Sequence, residues 1–223
     1  MKEYVKAHIT AICFVLLSFA LIFSIYQGKL EKQKNDIMND CLPKYSWLTH
    51  QYHEAELKYW EIKSQLVDEV QNYVDEKAPM NNLRMYEVVD KCEEHKIDLK
   101  FVTAQAEIES CFGTKGLAKK TNSVWNVMAF DSLKFDEIHY KGIYKHPNDS
   151  VNPYFELLLK RYLVKKNEYQ LMERFTDKDG RRYASDKNYE IKLKSKFEEL
   201  SKITKIDSLS SLMNHYAIQC GRF

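Results

Sequence analysis

"DLKFVTAQAEIESCFGTKG", residues 98–116, reads as one helix with a marked start and a marked stop. Asp98 has the side chain that caps a helix by accepting a hydrogen bond from an early backbone N–H, and Gly113 and Gly116 close the far end. On a wheel of about 100° per residue, Phe101, Val102, Ala104, Ala106 and Ile108 form one apolar arc. Glu109 falls inside that arc, between Val102 and Gln105, whereas Glu107 falls on the other side near Thr103. Glu107 is therefore expected in water and Glu109 on the core side of the domain.

Partial burial and the negative end of the helix macrodipole both disfavour a carboxylate, so both raise the pKa expected of Glu109. A carboxylic acid that keeps its proton near neutral pH is the group that protonates a departing sugar oxygen. The structural alternative is a helix-end glutamate paired with Lys115 or another lysine.

On either side of this helix the pattern stays mostly helical. "NLRMYEVVDKCEEHK" (82–96), a short stretch at 117–121, "NPYFELLLKRYLVKKNEYQLM" (152–172) and "DKNYEIKLKSKFEELSKI" (186–203) follow the helical period, with "TDKDGRRYAS" (176–185) as a loop. Alternation in "FDEIHYKGIYKH" (135–146) predicts a small hairpin turning at Lys141 and Gly142. The last residues, "SSLMNHYAIQCGRF" (210–223), suit a terminal helix.

Upstream, Leu48, Tyr52, Ala55, Tyr59, Ile62 and Leu66 recur at spacings of four and three, the stripe of an amphipathic helix that packs on the domain or on a copy of itself. Pro43 is expected to interrupt this stalk and "KAPMNN" (77–82) to end it. Residues 9–25 carry no charge, and about 17 to 25 apolar residues suffice for a membrane span. A retained signal anchor is favoured over a cleaved signal peptide because "SIYQGK" (24–29) lacks small residues of the A-x-A type. Lys2 and Lys6 before the run and Lys29, Lys32 and Lys34 after it leave the orientation to be decided by function. The expected plan is an anchor over 1–27, a helical stalk over 28–78, a domain over 79–205 and a tail or helix over 206–223.

The 34 basic and 32 acidic residues leave a net charge of +2, too small a field to recruit nucleic acid, and no basic patch is interleaved with aromatics. Cys13, Cys41, Cys92, Cys111 and Cys220 show no zinc spacing, and sequence cannot choose a disulfide pairing among those outside the span. His50 and His53 lack a third metal ligand nearby, so no metal and no cofactor is expected.

"AQAEIESCFGTKGLAKKTNSVWNVMAFD" (104–131) resembles the glucosaminidase family of bacterial cell-wall hydrolases, the lysozyme-like group of flagellar muramidases and autolysins. Ala104, Gln105, Ala106, Glu109, Ser110, Gly113, Leu117, Ala118, Lys119, Lys120 and Asn122 fall into register with its pattern. "SVNPYFELLLKRYLVKKNEYQLM" (150–172) is similar to the family's helix after the hairpin, and "RRYASDKNYEIKL" (181–193) to its late tyrosine-containing signature. Departures are Cys111 where glycine is usual, Ser123 for the second asparagine, and "WNVMAFD" (125–131) in place of "FGIKA". The resemblance implies a mainly α fold: a lysozyme-like α+β domain with a small β-hairpin lobe, here preceded by a transmembrane helix and a helical stalk.

It further implies a peptidoglycan hydrolase, an endo-β-N-acetylglucosaminidase cutting the β-1,4 glycan backbone with Glu109 as the acid. Tyr183 would orient that acid or hold the sugar's acetamido group, against a packing role. Phe112 and Trp125 are candidates for stacking on a sugar, against a core role, and Asn126 and Tyr140 complete the substrate-facing set. The second carboxylate would come from Asp131, Asp136, Glu137 or Asp149, with Glu137 first and Asp136 close behind, unless the substrate's acetamido group serves as nucleophile. Rival readings are a lytic transglycosylase on the same scaffold and a non-catalytic wall-binding or virion assembly protein. Expected partners are peptidoglycan strands, membrane lipid through residues 9–25, and a second copy through the stalk. The expected location is the cytoplasmic membrane, single-pass, with the domain on the extracytoplasmic side, or a phage particle.

Overall fold

The computed structural model describes the backbone of residues 2–127 and 143–222 and the side chains from residue 17 onward. Through the described residues run the helices α1 (Lys2–Lys77), α2 (Met85–His95), α3 (Leu99–Ser110), α4 (Ala118–Thr121), α5 (Val151–Leu157), α6 (Glu168–Glu173), α7 (Tyr189–Ile203) and α8 (Ile206–Gln219). Among the described residues there is no strand, only one isolated bridge between Thr176 and Arg182. The expected α+β domain with a β-hairpin lobe is corrected accordingly to a helical one. Most of the segment read as a hairpin, and its turn at Lys141 and Gly142, lies outside the described residues, while Ile143 to His146 carry no strand.

Contacts divide the chain into Met1–Glu56 and Leu57–Phe223. In the first unit α1 runs through Pro43. A proline inside a helix forfeits one hydrogen bond and typically costs about 3 kcal/mol, yet the expected interruption does not occur. No helix among the described residues is long and apolar enough to cross a membrane. The single-pass anchor, membrane lipid as a partner, and the location inferred from them are withdrawn.

The second unit is built around α3. Asp98 caps it, its carboxylate accepting from the Lys100 N–H at 2.8 Å, which satisfies one of the donors a helix start leaves open. From Leu99 to Ala106 every residue of α3 is buried, the condition of a helix enclosed on all sides. Helix α7 lies against it through Tyr189, Leu193 and Leu200, spaced so as to share one face. Phe101 of α3 stacks on Phe175 at 5.9 Å and 11° between planes. Fully burying side chains such as Phe101, Leu193 and Leu200 gives roughly 1.5–3 kcal/mol each.

The part of α1 within this unit is core rather than free stalk: Tyr59, Leu66, Val70, Tyr73 and Val74 are buried. Tyr59 and Leu66 belong to the stripe expected to pack on the domain or on a second copy, and they pack on the domain. Their burial inside the chain's own domain leaves self-association through that helix without support. Cys41, Cys92, Cys111 and Cys220 are all free thiols.

Candidate active site

Helix α3 ends abruptly, and that ending positions its last acid. Cys111, Phe112 and Gly113 all have positive φ, at 49°, 56° and 83°. The Cys111 N–H bonds back to Glu107 O and the Phe112 N–H to Ala106 O, the reverse turn that satisfies a helix's last carbonyls. Glycine adopts this conformation without strain, whereas a residue with a Cβ pays about 1–2 kcal/mol. Cys111 therefore holds a strained version of the turn. Just before it, Ser110 donates to Val124 O at 2.6 Å and accepts from the Gly113 N–H at 2.7 Å. That staple fixes the segment Val124, Trp125, Asn126 over the end of the helix.

Glu109 is half-buried there and is gripped from two sides. The Tyr189 hydroxyl donates to its Oε1 at 2.6 Å. Asn126 Nδ2 donates to its Oε2 at 3.1 Å and to its backbone carbonyl at 2.9 Å. Behind Tyr189 the bonds continue inward: Gln105 Nε2 donates to the Tyr189 oxygen at 3.1 Å, and Tyr154 donates to Gln105 Oε1 at 2.5 Å.

The direction of this chain follows from proton counting. Tyr154 is fully buried and Gln105 is its one hydrogen-bond partner among the described residues. Its single O–H must therefore point at the Gln105 oxygen, since a buried donor left unpaired costs about 1–3 kcal/mol. The Gln105 amide then faces Tyr189 as a donor and occupies that oxygen's lone pair. Tyr189 has one proton left to give, and Glu109 Oε1 receives it. Burial, then the Glu109 charge and Tyr183, hold the Tyr189 hydroxyl well above the ordinary phenol range, so it stays a donor at any working pH. Burial and the same carboxylate do likewise for Tyr183.

The two glutamates end up in different surroundings, though not those expected. Glu107 is not solvated: its side chain is 11% exposed, with Lys196 Nζ at 2.8 Å and the Tyr73 hydroxyl donating at 2.6 Å. It ties α3 to α7 and α1. Tyr183 does not reach Glu109 by a direct bond; its hydroxyl donates to Trp125 O at 3.0 Å, and its ring packs 5.5 Å from that of Tyr189. Trp125 is fully buried, donates to Val102 O at 3.1 Å and stacks on Tyr154 at 4.4 Å. Phe112 is fully buried and meets Tyr73 edge-on at 6.3 Å. Neither ring offers a face to a sugar.

Asn126 is brought to Glu109, as partner of the carboxyl itself. Glu137, Tyr140, Asp131 and Asp136 lie outside the described residues. Asp149 is occupied in a turn, accepting from the His146 N–H at 3.0 Å. Reasoning from sequence missed Tyr189, Gln105 and Tyr154. A signal was present: Gln105 is a polar residue inside the apolar arc, and Tyr189 opens the stripe completed by Leu193 and Leu200. A cavity of about 620 Å³ opens at the opposite end of α3, around Asp98 and Leu99. About 16 Å of helix separates those residues from Glu109.

One carboxyl held by fixed donors at a helix end, on a helical domain, is the equipment of an acid–base hydrolase. The family model described as mannosyl-glycoprotein endo-beta-N-acetylglucosaminidase, named Glucosaminidase, matches residues 86–202. The chain belongs to the glucosaminidase family, a group of glycoside hydrolases. No curated protein and no solved structure matches it.

Proposed function

We propose that the protein hydrolyses peptidoglycan as an endo-β-N-acetylglucosaminidase, cutting the β-1,4 bond on the reducing side of N-acetylglucosamine, with Glu109 as general acid. The observation that carries this reading is the directed chain Tyr154, Gln105, Tyr189, Glu109. It commits Oε1 to accepting from Tyr189, which leaves Oε2, beside Asn126, as the oxygen that would carry the transferable proton. As that proton passes to the leaving oxygen, negative charge grows on the carboxyl and the Tyr189 bond strengthens, which is transition-state stabilisation without reorganisation. Asn126 steadies the Oε2 side from the α3 terminus.

The test is product analysis. Purified peptidoglycan digested with the full chain and reduced with borohydride is expected to carry the reduced end on N-acetylglucosamine. Reduced ends on muramic acid would refute the bond assignment. Anhydromuramic ends would replace hydrolysis by transglycosylation, and absence of any new ends would leave a wall-binding protein.

A further inference from the structure

Away from Glu109, α1, α2 and the C-terminal residues enclose a cleft of about 530 Å³ whose walls are aromatic and whose floor is polar. Its floor is Lys63, 5% exposed. The ammonium is held by Asp90 at 2.6 Å, Glu93 at 2.7 Å and the Tyr59 hydroxyl at 3.2 Å. Burial alone would lower the lysine's pKa, but bonds to Asp90, Glu93 and Tyr59 outweigh it and raise it, so the floor is permanently charged and fully partnered. Trp60 and Tyr86 flank this one point, their ring centroids 5.3 and 5.9 Å from the ammonium, and remain 42% and 50% exposed. Arg222 packs on Trp60 and Tyr59 at 4.7 and 4.6 Å and bounds the cleft on its remaining side.

The chemistry of this cleft selects against ions. Lys63, Lys96 and Arg222 face Asp90, Glu93 and Glu94, so the lining has no net charge to attract an anion or a cation. What it presents is the exposed part of two rings, Tyr86 and, with Arg222 packed on it, Trp60, together with the carboxylates of Asp90 and Glu94, whose side chains stay 39% and 55% exposed. Exposed aromatic surface beside carboxylates that stay partly in solvent, Asp90 paired with Lys63 and Glu94 with Lys91, matches a neutral ring with one apolar face and a rim of hydroxyl and amide donors, which is a pyranose. The rings stand on two helices joined by the Lys63 network, so the site is formed before any ligand arrives, and less ordering is required on binding.

We propose that this cleft is a second glycan-binding site that holds the wall strand while Glu109 acts elsewhere on it. The ligand class rests on the hydrolase reading above; the cleft itself does not. Its occupation raises the time spent on insoluble polymer without touching the chemical step, through the effective concentration that a second attachment supplies.

The test uses the full chain carrying Glu109→Gln to stop turnover, pelleted with purified insoluble peptidoglycan, with and without Trp60→Ala and Tyr86→Ala. The same two substitutions in the active chain are assayed on a soluble N-acetylglucosamine hexamer. The expected result is pelleting weakened roughly tenfold, equivalent to about 1.4 kcal/mol, with the rate on the soluble hexamer unchanged within about twofold. Trp60→Phe with Tyr86→Phe, which keep the ring faces, should restore pelleting even where the alanine pair unfolds. Undiminished pelleting of the alanine pair overturns the proposal, as does weak pelleting by the phenylalanine pair. A wild-type chain that cuts nothing yet pellets through Trp60 and Tyr86 would sink the hydrolase reading and leave this site standing.

Discussion

Tyr189→Phe removes one hydroxyl and keeps the ring packed between Tyr183 and Phe175. If Glu109 is the general acid, that hydroxyl donates in the ground state to a neutral carboxyl, a bond worth about 0.5–1.5 kcal/mol, and after proton transfer to a carboxylate, worth about 1.5–3. Only the difference, about 1–1.5 kcal/mol, acts on the chemical step, so kcat should fall roughly five- to tenfold. KM should hold within about twofold, because the hydroxyl is turned toward Glu109 rather than toward a substrate. Taking away a donor that favours the charged form also moves the limb of the pH profile set by Glu109 to higher pH. The variant takes from Gln105 Nε2 its bond to the Tyr189 oxygen, so some loss of melting temperature is expected as well. Initial rates on a soluble glycan across pH, beside thermal unfolding, measure all three. A lower melting temperature with kcat and pH profile unchanged would refute the directed chain and reduce Tyr189 to packing.

Cys111→Gly relieves a left-handed residue of its Cβ at about 1–2 kcal/mol and gives back about 0.4–1 through a freer unfolded chain; the contact from Cys111 Sγ to Lys77 O at 3.6 Å is also lost. The net expectation is stabilisation of about 0.5–1 kcal/mol, read as a higher denaturant midpoint. Destabilisation would contradict the strained turn. Asp98 is held above the ordinary aspartate pKa by burial, against the Lys100 cap bond and charge, with Asp207 and Glu168 adding to the rise. The folded state thus binds this proton more tightly than the unfolded one, and its contribution to stability is lost as pH rises from the unfolded pKa through the raised folded one. Asp98→Asn keeps a capping oxygen and removes the titration. It should be the more stable chain at neutral pH and lose that advantage as pH falls through the acid range, and a pH-independent difference would refute the assignment.

The helices were legible where a local signal bounds them. Asp98 and the close of α3 were read correctly because cap and turn lie within the helix's own sequence. The wheel also turned Glu109 away from Glu107. It could not show that Glu107 is clamped, since Tyr73 and Lys196 come from helices far along the chain. For the same reason the sequence points to Tyr183 and passes over Tyr189: both stand in one short signature, and only folding decides which hydroxyl crosses to α3. Trp125 and Phe112 carry both readings in sequence, because aromatic residues suit a core and a sugar face equally well by type, and folding places both in the core. The hydropathy of residues 9–25 corresponds to no membrane-crossing helix among the described residues, and the proline at 43 does not end α1.

The central claim is that Glu109 performs the acid step while Glu107, two residues earlier, only holds the fold. Turnover of purified peptidoglycan by Glu109→Gln and Glu107→Gln, each confirmed folded by circular dichroism, separates the two directly. Glu109→Gln should lose at least about a hundredfold in kcat, the usual range for a general acid, with its melting temperature little changed. Glu107→Gln should melt lower and still cut. Glu109→Gln cutting at the wild-type rate would contradict the account.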